Sequence, residues 1–313
     1  MTDILIGVDG GGSKTKVLVA DETGWELAEA VGGRSAMGPG RADESAGVIA
    51  ALVRQAISEA GAEAIRPRVL AAGVAGVGRD IERRALTAAL EDLDLADEVI
   101  VVGDGDIALS DAFGQGAGIV LISGTGSIAH GRSPNRVTAR CGGWGPTFGD
   151  EGSGAWIGRK ALAIVASAAD GREPATALTG AVLTAAQVNE ATDLIPWGIA
   201  ATPKELAALA PVVFNCASSG DVRANALVGL AVEELVLHVR ALAISLFGDD
   251  RAAVPLALTG GLLQKGSLLR KRLEQRLKSA VPGAVIRATE IVPARGAVSM
   301  AKDRLMMPET AGR

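Results

Sequence analysis

Ile4-Leu5-Ile6-Gly7-Val8-Asp9-Gly10-Gly11-Gly12-Ser13-Lys14-Thr15-Lys16-Val17-Leu18-Val19-Ala20-Asp21 is the stretch on which the reading of this chain turns. Two apolar runs rich in β-branched residues flank a turn of glycines and hydroxyl residues, a pattern that predicts a β-hairpin. Gly10, Gly11 and Gly12 remove every Cβ from the tip, so backbone N–H groups can come close to a bulky anion. Ser13 and Thr15 add hydroxyl donors, and Lys14 adds a positive charge. Asp9 ends the incoming run, where a carboxylate could hold the metal that accompanies nucleotide phosphates. An ordinary glycine-rich turn is the plainer alternative. Two residues suffice for such a turn, and three glycines cost chain entropy, so phosphate binding is favoured.

The device recurs. Gly118–Ile122 is a second apolar run; it enters Ser123-Gly124-Thr125-Gly126-Ser127 and leaves through Ile128-Ala129-His130. Gly124–Ala129 formally fits the dinucleotide fingerprint, which requires a helix to follow. Here Ser133-Pro134-Asn135 and the run Val137–Cys141 follow instead, predicting a turn and another strand. A P-loop is also excluded, because Lys14 follows serine rather than glycine. What remains is a duplicated phosphate hairpin, and a duplicated unit predicts two similar lobes with a ligand cleft between them.

Composition bounds the rest. The 313 residues suit two domains, and 48% hydrophobic against 21% charged residues describes a globular chain. Thirty-one basic and 36 acidic residues give a net charge of −5 without a basic cluster, which argues against nucleic acid or an anionic membrane as the main partner. The apolar stretch 227–247 carries Glu233, Glu234, His238 and Arg240, so no membrane span is expected. The N-terminal stretch does not have the pattern of a secretion signal. Cys141 and Cys216 are too few for a disulfide scaffold or structural zinc site, and a reducing, cytoplasmic setting is expected.

After the first hairpin, Trp25–Val31 reads as a strand and 32–40 as a glycine-rich loop. Ser45–Ala60 has helical spacing, with Gly61 able to cap its end. Val69–Ala72, the loop 73–79, the helical run Asp80–Leu93 and Glu98–Val102 form a β-α-β unit, whose strand ends line ligand crevices. Asp104 stands directly after that last strand, between glycines and before the helical run Ile107–Phe113, well placed to meet substrate. Asp106 is its rival, with the alternative role of a helix N-terminal acid.

The loop Cys141-Gly-Gly-Trp-Gly-Pro-Thr-Phe-Gly-Asp-Glu-Gly-Ser-Gly154 sets Asp150 and Glu151 beside Trp144 among glycines. Such acids could bond sugar hydroxyls while the ring covers an apolar sugar face; core packing is the alternative for Trp144. Trp156–Ala169 reads as a helix with Ser153 as its N-cap. Helical stretches follow at Ala175–Thr184, Pro203–Val213 and Asp221–Phe247, with His238 and His130 read as packing or surface residues. Val254–Leu258 runs into a third glycine turn at Gly260-Gly261. Gly266–Ala280 is an amphipathic, Lys/Arg-rich helix read as a solvated face, Val285–Ala288 a last strand, and Pro293 opens a terminal helix.

Three motifs in order, Asp9-Gly-Gly-Gly-Ser-Lys-Thr15, Ser123-Gly-Thr-Gly-Ser127 and the Gly142–Gly154 loop, resemble the N-acetylglucosamine kinase branch of the sugar kinase/Hsp70/actin superfamily, which includes the BadF/BadG/BcrA/BcrD-type ATPases. The resemblance runs from about residue 4 to 300. It implies an α/β, two-lobed actin-like (ribonuclease H-like) fold, with lobes at 1–115 plus a returning helix at 293–313, and at 116–292. It implies an ATP- and Mg²⁺-dependent kinase forming an amino-sugar 6-phosphate, with glucosamine or another hexosamine as alternative acceptor, and a homodimer.

By this resemblance Asp104 is the general base and Asp9 the Mg²⁺ ligand. Gly10–Thr15, Gly124, Thr125, Gly126, Gly260 and Gly261 hold the nucleotide. Ser35, Gly76, Asp104, Thr125, Gly143, Trp144 and Asp150 contact the sugar, and Glu151 supports them. Ala36 and Ile128 depart from the pattern, which has asparagine at both positions, so the identity of the sugar stays open. The rival reading is an ATPase activating a partner dehydratase or reductase through a shared iron–sulfur cluster, which requires suitably placed cysteines. A non-catalytic ATP-binding module is a third.

Overall fold

The structure is a computed structural model and describes residues 3–249 and 251–307. Those parts of the expected lobes that fall at 1–2, 250 and 308–313 lie outside the described residues. The chain divides into two compact units, Met1–Gly116 with Glu290–Arg313, and Ala117–Thr289.

The first unit begins with β1 (Ile4–Gly10), β2 (Thr15–Asp21) and β3 (Glu26–Gly32), an antiparallel meander. Then follow α1 (Ala42–Glu59), β4 (Val69–Val74), α2 (Asp80–Glu91), β5 (Glu98–Gly103) and α3 (Asp104–Phe113). The sheet order is β3-β2-β1-β4-β5, with β4 parallel to both β1 and β5. The central strand is apolar on both faces because helices cover both. Ile6 and Val8 point into one core with Ile49, Val53 and Leu86, while Leu5 points into another with Ile107 and Ala297.

The second unit starts with β6 (Gly118–Ser123), β7 (Ser127–Arg132) and β8 (Thr138–Gly142). A helical block follows: α4 (Gly154–Ala169), α5 (Leu178–Ala186), α6 (Leu194–Ala200), α7 (Pro203–Ala207), α8 (Ala210–Ser218) and the long α9 (Val222–Phe247). Then come β9 (Val254–Thr259), α10 (Leu268–Ala280) and β10 (Ala284–Ile286). The terminal helix α11 (Pro293–Met306) belongs to the first unit and packs on α3, β1 and β4. The second sheet, β10-β9-β6-β7-β8, has the topology of the first read in reverse. The duplication expected from the two glycine hairpins therefore extends to all five strands of each sheet.

Several boundaries differ from the sequence reading. The helix expected at Ile107 starts at Asp104, because the Gly103 N–H donates to the Asp106 carboxylate (3.1 Å) and closes the first turn. The single helix expected at Pro203–Val213 is split into α7 and α8. Pro211 has no N–H to give to the carbonyl one turn back, and the axis breaks ahead of it. Helix α10 begins at Leu268, after Ser267, whose hydroxyl accepts from the Arg270 N–H (3.3 Å). Ser153 caps α4 as expected, accepting from the Trp156 N–H (3.2 Å). Among the described residues no helix is long and apolar enough to cross a membrane.

Candidate active site

In the first unit the β1–β2 turn is closed by a bond from the Gly11 N–H to the Lys14 carbonyl (2.9 Å). Gly12, Ser13 and Lys14 are exposed at its tip. The Gly11 carbonyl accepts from the N–H groups of Ser35 (3.3 Å) and Ala36 (3.2 Å), and Gly10 accepts from Ala75 (2.8 Å). Met37 donates back to the Ala75 carbonyl (2.8 Å). Three loops are thus tied into one cluster, and the close approach sets the glycines. A Cβ on Gly76, which has φ +89°, would lie 2.3 Å from the Met37 carbonyl oxygen.

Thr15 is fully buried, its hydroxyl 2.6 Å from the Gly33 carbonyl and 2.7 Å from Ser35 Oγ. Its side chain, expected among the phosphate donors, is turned into the lobe, because β2 alternates and Thr15 falls on the inner face. Ser35 is buried with it, so both hydroxyls brace the turn. Ala36 contributes its backbone N–H.

Asp9 and Asp104 come together through the sheet. Asp9 is near the carboxyl end of β1, Asp104 follows β5, and β4 is the single strand between them. Burial, reinforced by the Asp104 charge, pushes the Asp9 carboxyl up to about 6, against smaller opposite effects of Lys14 and Lys16. Lys16 is itself paired with Glu29 (2.6 Å). Asp104 Oδ1 accepts from the Gly105 N–H (3.1 Å), while Asp106 is occupied by the cap of α3. Among the described residues no group of three or more His, Cys, Asp or Glu side chains could hold a metal alone. The Asp9 carboxylate beside the open glycine turn is an oxygen donor that fits Mg²⁺, which commonly takes one or two carboxylates and completes its shell with phosphates and water.

In the second unit the β6–β7 turn is closed by the Gly124 N–H bonding to the Gly126 carbonyl (2.9 Å). The N-terminus of α4 is bound to it: Gly154 and Ala155 donate to the carbonyls of Gly124 (2.8 Å) and Thr125 (3.2 Å). Ser123 and Ser127 donate their hydroxyls to the carbonyls of Gly152 (3.0 Å) and Glu151 (2.7 Å). Gly260 closes the cluster, with φ +101° and a position where a Cβ would lie 2.3 Å from the Ser123 carbonyl oxygen. The second and third glycine turns therefore touch, and Gly124, Thr125, Gly126, Gly260 and Gly261 form one surface.

Asp150 adopts φ +59°, a left-handed conformation that aspartate tolerates better than most residues. This places its carboxylate over Gly126, where a Cβ would meet Oδ2 at 2.9 Å. Burial raises the Asp150 carboxyl, and hydrogen bonds from the Ser127 and Gly145 backbones counter it. Trp144 is 62% exposed, and the Arg140 guanidinium stacks over its ring, 4.8 Å from the centroid. Arg140 also donates to the Gly142 carbonyl (2.7 Å). Sequence reading missed Arg140, whose separation from Trp144 carries no motif. Ile128 packs under the same loop: a Cβ on Gly143 would sit 2.4 Å from its Cδ1. His238 is buried in α9, with Nδ1 2.6 Å from the Glu234 carbonyl and Nε2 against Gly142, a packing role.

The sequence-derived site residues thus fall into two sets. Asp9, Gly10–Thr15, Ser35, Gly76 and Asp104 belong to the first unit. Gly124, Thr125, Gly126, Gly143, Trp144, Asp150, Glu151, Gly260 and Gly261 belong to the second.

Comparison with known proteins extends this picture. The chain is 31% identical over 302 residues to the N-acetylmuramic acid/N-acetylglucosamine kinase of Clostridium acetobutylicum, covering 95% of this chain and 98% of that one. It is 31% identical over 314 residues to the N-acetyl-D-glucosamine kinase of Dictyostelium discoideum, covering 96% and 98%. A solved structure of a candidate N-acetylglucosamine kinase from Chromobacterium violaceum superposes with a TM-score of 0.76 at 32% identity, covering 95% and 98%. The fold is the actin-like α/β fold of these sugar kinases, built on a duplicated sheet. The family model described as the BadF/BadG/BcrA/BcrD ATPase family matches residues 6–301. Matched by that model over nearly its own whole length, the chain belongs to the BadF/BadG/BcrA/BcrD ATPase family.

Proposed function

We propose that this protein is a carbohydrate kinase that transfers the γ-phosphoryl group of ATP to the 6-hydroxyl of an amino sugar, with N-acetylglucosamine as the leading acceptor. The observation that carries the reading is the pair Asp9 and Asp104 beside a glycine turn whose tip is open. The names of the relatives from Clostridium and Dictyostelium support the acceptor.

In this reading the exposed amides at Gly12 and Ser13, with Lys14, receive phosphate oxygens, and the turns at 124–126 and 260–261 receive the rest of the nucleotide. Mg²⁺ held by Asp9 would neutralise charge on the phosphates. Asp104 accepts the proton of the sugar hydroxyl as it attacks phosphorus. Asp150 and Glu151 orient hydroxyls, while the Trp144 ring covers an apolar sugar face. A coupled ADP-release assay across N-acetylglucosamine, glucosamine, N-acetylmuramic acid and glucose tests this. An amino sugar should have the highest kcat/KM; a higher value for glucose would reject the acceptor while leaving the kinase class standing.

The activator-type ATPase reading is disfavoured by the cysteines. Cys141 and Cys216 lie on β8 and α8, and burial raises both thiols, opposing the thiolates that a cluster needs. Iron content after anaerobic purification checks it directly. Free cysteines also suit a cytoplasmic setting. A homodimer is part of the proposal: α9 exposes Leu230, Leu237 and Ile244 at seven-residue spacing, a stripe suited to a second helix. Leu237→Glu should turn a dimer into a monomer in analytical ultracentrifugation, and an unchanged sedimentation coefficient would remove this interface.

A further inference from the structure

The sequence over 266–280 predicts a solvated basic face, but the structure divides the cations of α10 and its flanks into two sets. Arg272 and Arg276 are turned to α9, donating to Asn225 Oδ1 (2.5 Å) and to the Glu233 carboxylate (2.6 and 3.1 Å). Lys265, Arg270, Lys271, Lys278 and Arg287 instead line a groove of about 700 Å³ between α10 and the edge strand β10. Glu274 is the one acid on its wall. In a chain of net charge −5, five cations facing one carboxylate are a marked local reversal.

Two features separate this groove from an ordinary solvated surface. Lys265, Lys271 and Lys278 have no ion-pair partner among the described residues, although acids neutralise other cations of the same helix. Arg270 is only 8% exposed and is held rigid: Nε donates to Glu274 Oε1 (2.6 Å) and Nη1 to the Leu263 carbonyl (2.9 Å). A guanidinium fixed in place beside three unpaired ammonium groups is a cationic donor set suited to phosphate. Leu277, Ile286 and Ala288 give the same groove an apolar wall, and its volume lies within the ~300–1,000 Å³ of small-molecule sites.

None of the glycine-turn residues lines it. We propose that the α10–β10 groove is a second anion site, distinct from the nucleotide turns, which takes a small phosphate ester with an apolar portion. Arg270, on its wall, also bonds the carbonyl of Leu263 (2.9 Å), two residues beyond the third glycine turn.

Calorimetric titration of the whole chain with phenyl phosphate tests the site, without nucleotide and then with saturating Mg²⁺ and a non-hydrolysable ATP analogue. Phenyl phosphate should bind one to one in both conditions, more tightly than inorganic phosphate. Lys271→Glu with Lys278→Glu, both on exposed positions, should weaken that binding by at least ~10-fold through charge reversal while the ATP KM stays within about twofold. Circular dichroism checks folding, and Lys278→Gln alone, expected to weaken binding less, serves if the double variant misfolds. Loss of binding when the analogue is added would assign the groove to the nucleotide and overturn the proposal. Unchanged binding by the charge-reversed variant would overturn it equally. So would a single-stranded oligonucleotide binding more tightly than phenyl phosphate, which would make the groove a nucleic-acid surface.

Discussion

Asp9 and Asp104, far apart in the chain, stand at the carboxyl ends of β1 and β5 within reach of each other's charge, and the second carboxylate adds to burial in raising the first to about 6. Asp9 is set on a strand and Asp104 in the first turn of α3, positions suited to different tasks.

Asp104→Asn keeps the shape but cannot take the hydroxyl proton. Removing a positioned general base typically costs ~10²–10⁴ in rate, so kcat should fall by that order while ATP affinity stays near wild type. Asp106 closes the first turn of α3, and Asp106→Asn should change turnover less than about tenfold, its loss being that of a cap worth ~0.5–2 kcal/mol of stability. Turnover at saturating sugar and Mg-ATP distinguishes them. Reversed effects would move the base to Asp106.

Asp9 also makes a pH-dependent prediction. Its carboxyl holds a proton more tightly folded (about 6) than at its ordinary value of 3.8, so stability falls as pH rises through that window. At ~1.36 kcal/mol per pH unit the ligand-free chain loses up to ~3 kcal/mol between pH 4 and pH 7 from this group. Asp9→Asn lacks the penalty and should be the more stable protein at pH 7.5, with the advantage vanishing near pH 4, while its kinase activity is lost. Urea denaturation across that range measures it; a pH-independent difference would refute the coupling.

The glycines divide into those the ligand needs and those the fold needs. Nothing lies within 4 Å of a Cβ placed on Gly12, so Gly12→Val should melt close to wild type yet weaken ATP at least ~10-fold by obstructing the exposed amides. Gly260 has φ +101° and no room against Ser123. Gly260→Ala should destabilise the chain by ~1–3 kcal/mol, the usual cost of a forbidden backbone region. Melting curves paired with nucleotide calorimetry separate the two, and equal ATP binding in Gly12→Val would remove the turn from the site.

Trp144 is exposed and stacked by Arg140, so little of the core depends on it. Trp144→Ala should raise the sugar KM severalfold, leave the ATP KM unchanged and lower stability by no more than ~1 kcal/mol, the worth of an exposed cation–π contact. A rise in the ATP KM instead would place the ring on the nucleotide.

The division between what was legible in the sequence and what was not follows the range of the interactions. Strand alternation, glycine turns, the Ser153 cap and the repeat of the hairpin are local, set by backbone sterics and hydrogen bonds within a few residues, and the sequence alone determined them. It also placed Asp104 directly after a strand. Tertiary structure decided the rest. The inward turn of Thr15 depends on Gly33 and Ser35, and the left-handed backbone of Asp150 accompanies its packing over Gly126. The raised Asp9 carboxyl rests first on its burial and then on Asp104, which β4 brings near by joining β1 and β5 in one sheet, and the basic wall of α10 becomes a groove only when β10 adds to the sheet edge. Charge and burial act through space, whereas one-dimensional spacing registers only neighbours along the chain.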